Sequence, residues 1–267
     1  MTRVSVLGGG KMGEALLAGM IDAGYESGDL CVAEADPDRR RHLETSLAGI
    51  RVVPSSAWAL PDAEVVIVAV KPGDVAEALG ASIDGLAHDA LVLSIAAGVT
   101  IRELEEMAPG RPVVRAMPNT PALVRSGASA IASGSHASAV HSSLVCRLLG
   151  AVGTVVEVPE YQLDAVTGLS GSGPAYVFLM AEAMIEAGVL AGLSREVSSG
   201  LVTQTLLGSA RLLAAGDSTA EQLRAAVTSP GGTTAAGLRV LEAHGFRAAM
   251  LDAVMAATQR SRELGAP

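Results

Sequence analysis

The chain has 267 residues, 49% of them hydrophobic, with a mean hydropathy of +0.41 and a formal charge of −9, which excludes a disordered chain and suffices for one large domain or two modest ones. With 19 basic against 28 acidic residues and 2% aromatics, it offers neither a positive field for a phosphate backbone nor stacking platforms for bases, so nucleic acid is not an expected partner. Cys31 and Cys146 show no CxxC or Cys/His spacing, so neither a disulfide framework nor a metal site is signalled and a cytoplasmic setting is expected.

Taken in chain order, Met1 leads through Arg3 into a short apolar run without the pattern of an export signal. Residues 4–7 read as a strand, 14–23 as a helix, 30–34 as a strand and 37–47 as a helix. Residues 65–70 form an uninterrupted apolar run, as in a central strand covered on both faces. Further strands are expected at 91–94, 113–116 and 128–132, and a helix at 136–149. This alternation predicts an α/β fold, a Rossmann-type doubly wound parallel sheet over residues 1–159.

Beyond Pro159 the β-branched runs give way to Ala/Leu-rich segments at helical spacing, predicting an all-helical domain over 160–267. Its helices are expected at 175–191, 195–214, 220–227, 233–244 and 246–264. Ser194 and Ser218 suit helix starts, and Gly192, Gly216 and Gly245 suit helix ends. The apolar run 177–193 is interrupted by Glu182 and Glu186, so no membrane span is expected. A helical region this rich in Ala, Leu and Met cannot bury all its apolar faces alone, which predicts oligomerisation through it.

Gly8, Gly10 and Gly13 reproduce the GxGxxG spacing between the first strand and the first helix. The first glycine permits a tight turn, the second lets a pyrophosphate approach the backbone, and the third allows close helix–strand packing. Glu34 ends the second strand, where a carboxylate accepts hydrogen bonds from an adenosine ribose. Arg39, Arg40 and Arg41 follow it, either to pair with a 2′-phosphate or to form a solvated helix face. The cofactor is therefore NADH or NADPH, with Glu34 favouring NADH. Lys71 leaves the most apolar strand, either beside a cofactor or as a surface lysine. Ala96 and Ala97 leave room for a flat ring, and Asn119, between Pro118 and Pro121, offers both a donor and an acceptor. In the helical half, residues 169–176 and 228–234 are small-residue segments leading into helices, an arrangement that binds a carboxylate or phosphate through unpaired N–H groups or simply caps two helices.

The segments GGGKMG at 8–13, AVKP at 69–72, AAGVTI at 96–101, RAMPNTP at 115–121, DAVTGLSGSGPAY at 164–176 and VTSPGGTTAAGL at 227–238 together resemble pyrroline-5-carboxylate reductase over nearly the whole chain. The resemblance implies NAD(P)H-dependent reduction of 1-pyrroline-5-carboxylate to L-proline, the last step of proline biosynthesis. It implies a homodimer through the helical domain, within a larger ring of dimers in many members. The cofactor site expected from the glycine motif and the strand ends comprises Gly8, Gly10, Lys11, Met12, Gly13, Glu34, Val70, Lys71, Pro72, Ala96, Ala97 and Asn119. Ser229, Gly231, Gly232, Thr233 and Thr234 would hold the substrate carboxylate, with Thr234 beside the imine nitrogen and the proton coming from solvent or through Thr234. Many family members carry Ser, Asn or Arg after the second strand where this chain reads Glu34-Ala35-Asp36, which leaves the cofactor preference open. Two rivals remain. A β-hydroxyacid dehydrogenase would need a lysine in its helical domain, and residues 160–267 contain none. A noncatalytic dinucleotide sensor would have no use for a second anion-ready loop.

Overall fold

The computed structural model describes residues 2–80 and 83–265. Eight strands, β1 (Val4–Leu7), β2 (Leu30–Ala33), β3 (Arg51–Val53), β4 (Val65–Val68), β5 (Leu91–Ser94), β6 (Val113–Met117), β7 (Gly127–Ser133) and β8 (Gly153–Glu157), form one sheet in the order β3-β2-β1-β4-β5-β6-β7-β8. The first six run parallel in the doubly wound 3-2-1-4-5-6 order; β7 pairs antiparallel with β6, and β8 parallel with β7. The expected parallel sheet is thus extended by two strands of opposite direction. The short edge strand β3 and the largely solvated β8 were not expected, because each alternates too weakly to register as a strand.

Helices α1 (Lys11–Asp22), α2 (Pro37–Ser46), α3 (Ser56–Ala59), α4 (Val75–Gly80), α5 (Ile101–Met107), α6 (Ala139–Gly150) and α7 (Leu163–Val166) cover both faces of the sheet. Val66 and Val68 of β4 pack on one face with Val75, Leu79 and Leu104. Val65 and Ile67 pack on the other with Leu16, Leu17, Met20 and Leu148. Burial on both faces is why the 65–70 run has no polar interruption.

The remaining helices are α8 (Gly173–Leu190), α9 (Arg195–Ala214), α10 (Ala220–Ala226), α11 (Thr233–Ala243) and α12 (Phe246–Leu264). Ser194 caps α9 as expected, its side chain accepting from the Val197 N–H. The cap of α10 is Thr219 rather than Ser218, because Thr219 closes a reciprocal capping box with Gln222.

Packing divides the chain into two compact units, Met1–Ser172 with Ala256–Pro267, and Gly173–Met255. Segment 160–172 goes with the sheet for identifiable reasons. Glu160 accepts from the Ile101 N–H (2.7 Å) and pairs with Arg115 of β6 (3.0 Å), and Ser261 donates to Asp164 (2.7 Å). In the second unit the helices leave apolar side chains open on the single chain, among them Phe178, Leu179, Leu190 and Leu201. By length and composition alone the continuous helical run Glu160–Leu190 is also apolar enough to cross a bilayer.

Ile67 is wholly buried at the centre of the sheet, so Ile67→Ala should lower the unfolding free energy by about 2–5 kcal/mol in urea titrations. A loss under about 1 kcal/mol would show that the β4 environment is not close-packed.

Candidate functional site

The chain order reverses between β1 and β4, and there a cavity of about 530 Å³ opens at the carboxyl ends of the strands. Leu7, Gly8 and Gly10 line it from the first turn, Ala33 and Glu34 from the end of β2, and Ala69, Val70 and Lys71 from the end of β4. The glycines divide the work as the spacing implies. Gly8 has φ +101°, and a Cβ there would meet the Ala69 carbonyl oxygen at 2.7 Å. A Cβ on Gly13 would collide with the Gly8 carbonyl, so α1 lies directly against the turn. At Gly10 a Cβ would meet nothing, leaving open cavity above the backbone at the N-cap of α1. A concave site floored by open glycine and facing a helix N-terminus fits a dinucleotide pyrophosphate.

Glu34 stands at the rim with both carboxylate oxygens oriented by backbone: Oε2 accepts from the Gly9 N–H and Oε1 from the Asp36 N–H, each at 2.9 Å. Each oxygen keeps a lone pair for a ribose hydroxyl. The three arginines that follow are all engaged within the protein. Arg39 donates to the Gly9 carbonyl (2.6 Å) and pairs with Glu14 (2.5 Å), Arg40 donates to the Glu34 and Ala35 carbonyls, and Arg41 pairs with Asp38 on the surface. Burial on its own would raise the Glu14 carboxyl, but hydrogen bonds from Arg39, His42 and Ser46 together with the Arg39 charge hold it below the usual carboxylate range.

Of the other expected cofactor residues, Val70 and Lys71 line the cavity, and Lys71 is exposed before the short turn at Pro72. Lys11 is exposed in the first turn of α1, Met12 packs toward the core, Ala96 is buried and Ala97 exposed. The Asn119 amide is engaged at both ends, its Nδ2 donating to the Ser170 carbonyl (3.0 Å) and its Oδ1 accepting from the Ala128 N–H (2.9 Å). Sequence reasoning missed Pro54, Ser55 and Ser56, which line the cavity from the end of β3. The signal that could have found them is the carboxyl end of a further parallel strand, hidden because β3 itself was not anticipated.

The two small-residue segments of the C-terminal half differ in structure. Residues 169–176 are not an open loop before a helix: Thr167–Gly171 is a π-helical turn joining α7 toward α8, with the Ser172 N–H bonded to the Thr167 carbonyl at 2.8 Å. The Ser172 N–H is therefore committed to the turn itself. Gly171 is instead required by packing, since a Cβ there would meet the Met117 Cε at 2.7 Å. Segment 228–234 does have the expected form. Gly231 turns at φ +70°, the Gly232 N–H closes on the Ser229 carbonyl (3.0 Å), and Gly232 is the N-cap of α11. No side chain caps α11 and its first turn carries no acid, so Thr233 and Thr234 open a helix end suited to a carboxylate.

Two family descriptions match the chain: pyrroline-5-carboxylate reductase dimerisation over residues 160–264, and NADP oxidoreductase coenzyme F420-dependent over residues 3–98. A pyrroline-5-carboxylate reductase of Mycobacterium tuberculosis is 46% identical, with 99% of this chain and 97% of that protein covered. Among solved structures, a pyrroline-5-carboxylate reductase of Coxiella burnetii superposes with TM-score 0.94 at 35% identity, covering 100% of this chain and 99% of the other. A Plasmodium falciparum pyrroline carboxylate reductase with NADP bound gives TM-score 0.86 at 31% identity, covering 99% and 98%. The dimerisation description covers the helices whose apolar side chains lie open on the single chain.

The depressed Glu14 carboxyl makes its contribution to stability dependent on acid. Its folded-state value lies below the ordinary 4.5, so the contribution is complete above that pH and is lost as pH falls through the lowered value. The stability difference between the native protein and Glu14→Gln should be constant from about pH 7 to pH 5 and shrink below it; a difference independent of pH would contradict this.

Proposed function

The chain belongs to the pyrroline-5-carboxylate reductase family, and we propose which of its residues carry the reaction. That reaction is the NAD(P)H-dependent reduction of the cyclic imine 1-pyrroline-5-carboxylate to L-proline, the last step of proline biosynthesis. The cofactor, when bound, supplies a hydride to the imine carbon. Gly8, Gly10 and the opening turn of α1 at Lys11, Met12 and Gly13 take its pyrophosphate, and Glu34 takes the adenosine ribose. Val70, Lys71, Pro72, Ala96 and Ala97 contribute at the strand ends, and Asn119 contributes by holding its own loop to β7 and Ser170. The single observation that carries this reading is the open space above Gly10 in the cavity at the β1/β4 switch point.

Ser229, Gly231, Gly232, Thr233 and Thr234 hold the substrate carboxylate: the hydroxyls and the N–H groups at the start of α11 donate to it, while the Gly232 N–H, bonded to the Ser229 carbonyl, closes the turn that presents them. The uncapped, acid-free start of α11 supports this assignment. Thr234 is the residue nearest the chemistry, its hydroxyl hydrogen-bonding the ring nitrogen as that nitrogen becomes an amine. A threonine is too weak an acid to be the ultimate proton source, so the proton comes from solvent and Thr234 orients the nitrogen that receives it. Metal and covalent intermediates are unnecessary, because an imine already accepts hydride once it is positioned.

Glu34 favours NADH, since a 2′-phosphate would set two negative charges against its oriented carboxylate. We assign the dinucleotide domain to residues 1–159 and the substrate and dimer domain to 160–267 on the matched dimerisation region at 160–264, although by packing segment 160–172 and the stretch from Ala256 go with the sheet unit. The proposal extends to homodimers assembled in a larger ring and to a cytoplasmic location.

Loss of nicotinamide absorbance on mixing the protein with 1-pyrroline-5-carboxylate and either cofactor tests the reading. Thr234→Ala should lower kcat about tenfold or more with cofactor affinity unchanged, and native turnover would remove Thr234 from the mechanism. Glu34→Gln should raise the NADPH/NADH ratio of kcat/KM; an unchanged ratio would show that Glu34 does not discriminate.

A further inference from the structure

The three arginines after β2 were open to two readings, a 2′-phosphate clamp or a solvated face, and Arg39 fits neither. Its Nε donates to the Gly9 carbonyl at 2.6 Å, and its Nη2 meets Glu14 Oε2 at 2.5 Å. Glu14, in the first turn of α1, takes His42 Nε2 (2.8 Å) and Ser46 Oγ (3.0 Å) on its other oxygen. Arg39, His42 and Ser46 lie at positions i, i+3 and i+7 of α2, so one face of that helix is fastened to the start of α1. The glycine loop also lies flat on α2, since a Cβ on Gly9 would collide with Leu43 Cδ1.

The consequence for the cradle follows from peptide geometry. The Gly9 carbonyl and the Gly10 N–H belong to one planar trans peptide and point in opposite directions. Drawing the carbonyl onto Arg39 therefore turns the Gly10 N–H away from α2. The preceding peptide is fixed as well, because the Gly9 N–H is held by Glu34 at 2.9 Å. We propose that Arg39, backed by Glu14, is a positioning residue that sets the orientation of the Gly9–Gly10 peptide for the cofactor pyrophosphate, and that it does not bind a 2′-phosphate. Two of the five guanidinium N–H groups are already taken, by a carboxylate and a carbonyl, and the Glu14 charge offsets that of Arg39, which weakens its pull on a 2′-phosphate.

This inference rests on the assignment of the glycine loop as the pyrophosphate cradle, and the test separates the two. Initial rates of the full-length enzyme are measured with NADH and NADPH each varied at saturating 1-pyrroline-5-carboxylate. Arg39→Ala should raise KM for both cofactors by the same factor, about tenfold, and lower kcat far less, as expected for loss of a charge-assisted hydrogen bond. Arg39→Lys should recover part of the loss, and Glu14→Gln should move both KM values in the same direction by less. Gly10→Ala, which meets no protein atom, tests the cradle directly by filling the space above it. If Gly10→Ala raises both KM values and Arg39→Ala raises neither, the cradle stands and the strut is overturned. A rise for NADPH alone in Arg39→Ala would make Arg39 a phosphate ligand and also overturn the inference. No change in Gly10→Ala would remove the cradle assignment and the inference with it.

Discussion

The packing of Gly13 against the Gly8 carbonyl is the constraint on which the N-terminal site depends. No Cβ fits between them, so the first helix starts directly over the end of the first strand and its N-terminus faces the cavity. The same turn sits where the strand order reverses, so the ends of β2 and β4 flank it and contribute Glu34 and Val70 to the walls. A sheet buried on both faces makes that arrangement rigid, and the loop inherits its geometry from the sheet.

In the helical region a similar economy operates without a basic residue. Gly231 at positive φ and Gly232 at the N-cap bring two threonines into the first turn of α11, where helix-end N–H groups favour an anion. The other glycine-rich segment is used differently. Its π-helical turn bonds the Ser172 N–H to the Thr167 carbonyl, and its glycine admits Met117 while its Ser170 carbonyl receives Asn119. Composition alone does not distinguish these outcomes, because Ser and Gly serve equally in loops and in tightly packed helices.

Much of the fold was legible in the residues, and the exceptions have physical causes. The uninterrupted 65–70 run marked the central strand because burial on both faces leaves no polar position, and the Ser194 cap and the Gly216 stop put α9 at its observed limits. β8 escaped notice because its side chains are largely solvated, and β3 because three residues are too few to show a period. At the site, Gly8, Gly10, Glu34 and Lys71 were readable from motif and spacing, whereas Ser55 and Ser56 were not, being cavity residues only through a strand that gives no signal. The role of Arg39 was likewise invisible: a run of three arginines reads as one feature, yet the helix points each to a different partner.

The most direct measurement is a crystal structure of the protein with NADH. The account predicts the pyrophosphate over Gly10 at the N-terminus of α1 and the adenosine ribose hydroxyls within hydrogen-bond distance of a Glu34 carboxylate still held by Gly9 and Asp36. A pyrophosphate seated away from Gly10, or a ribose that leaves Glu34 untouched, would contradict it.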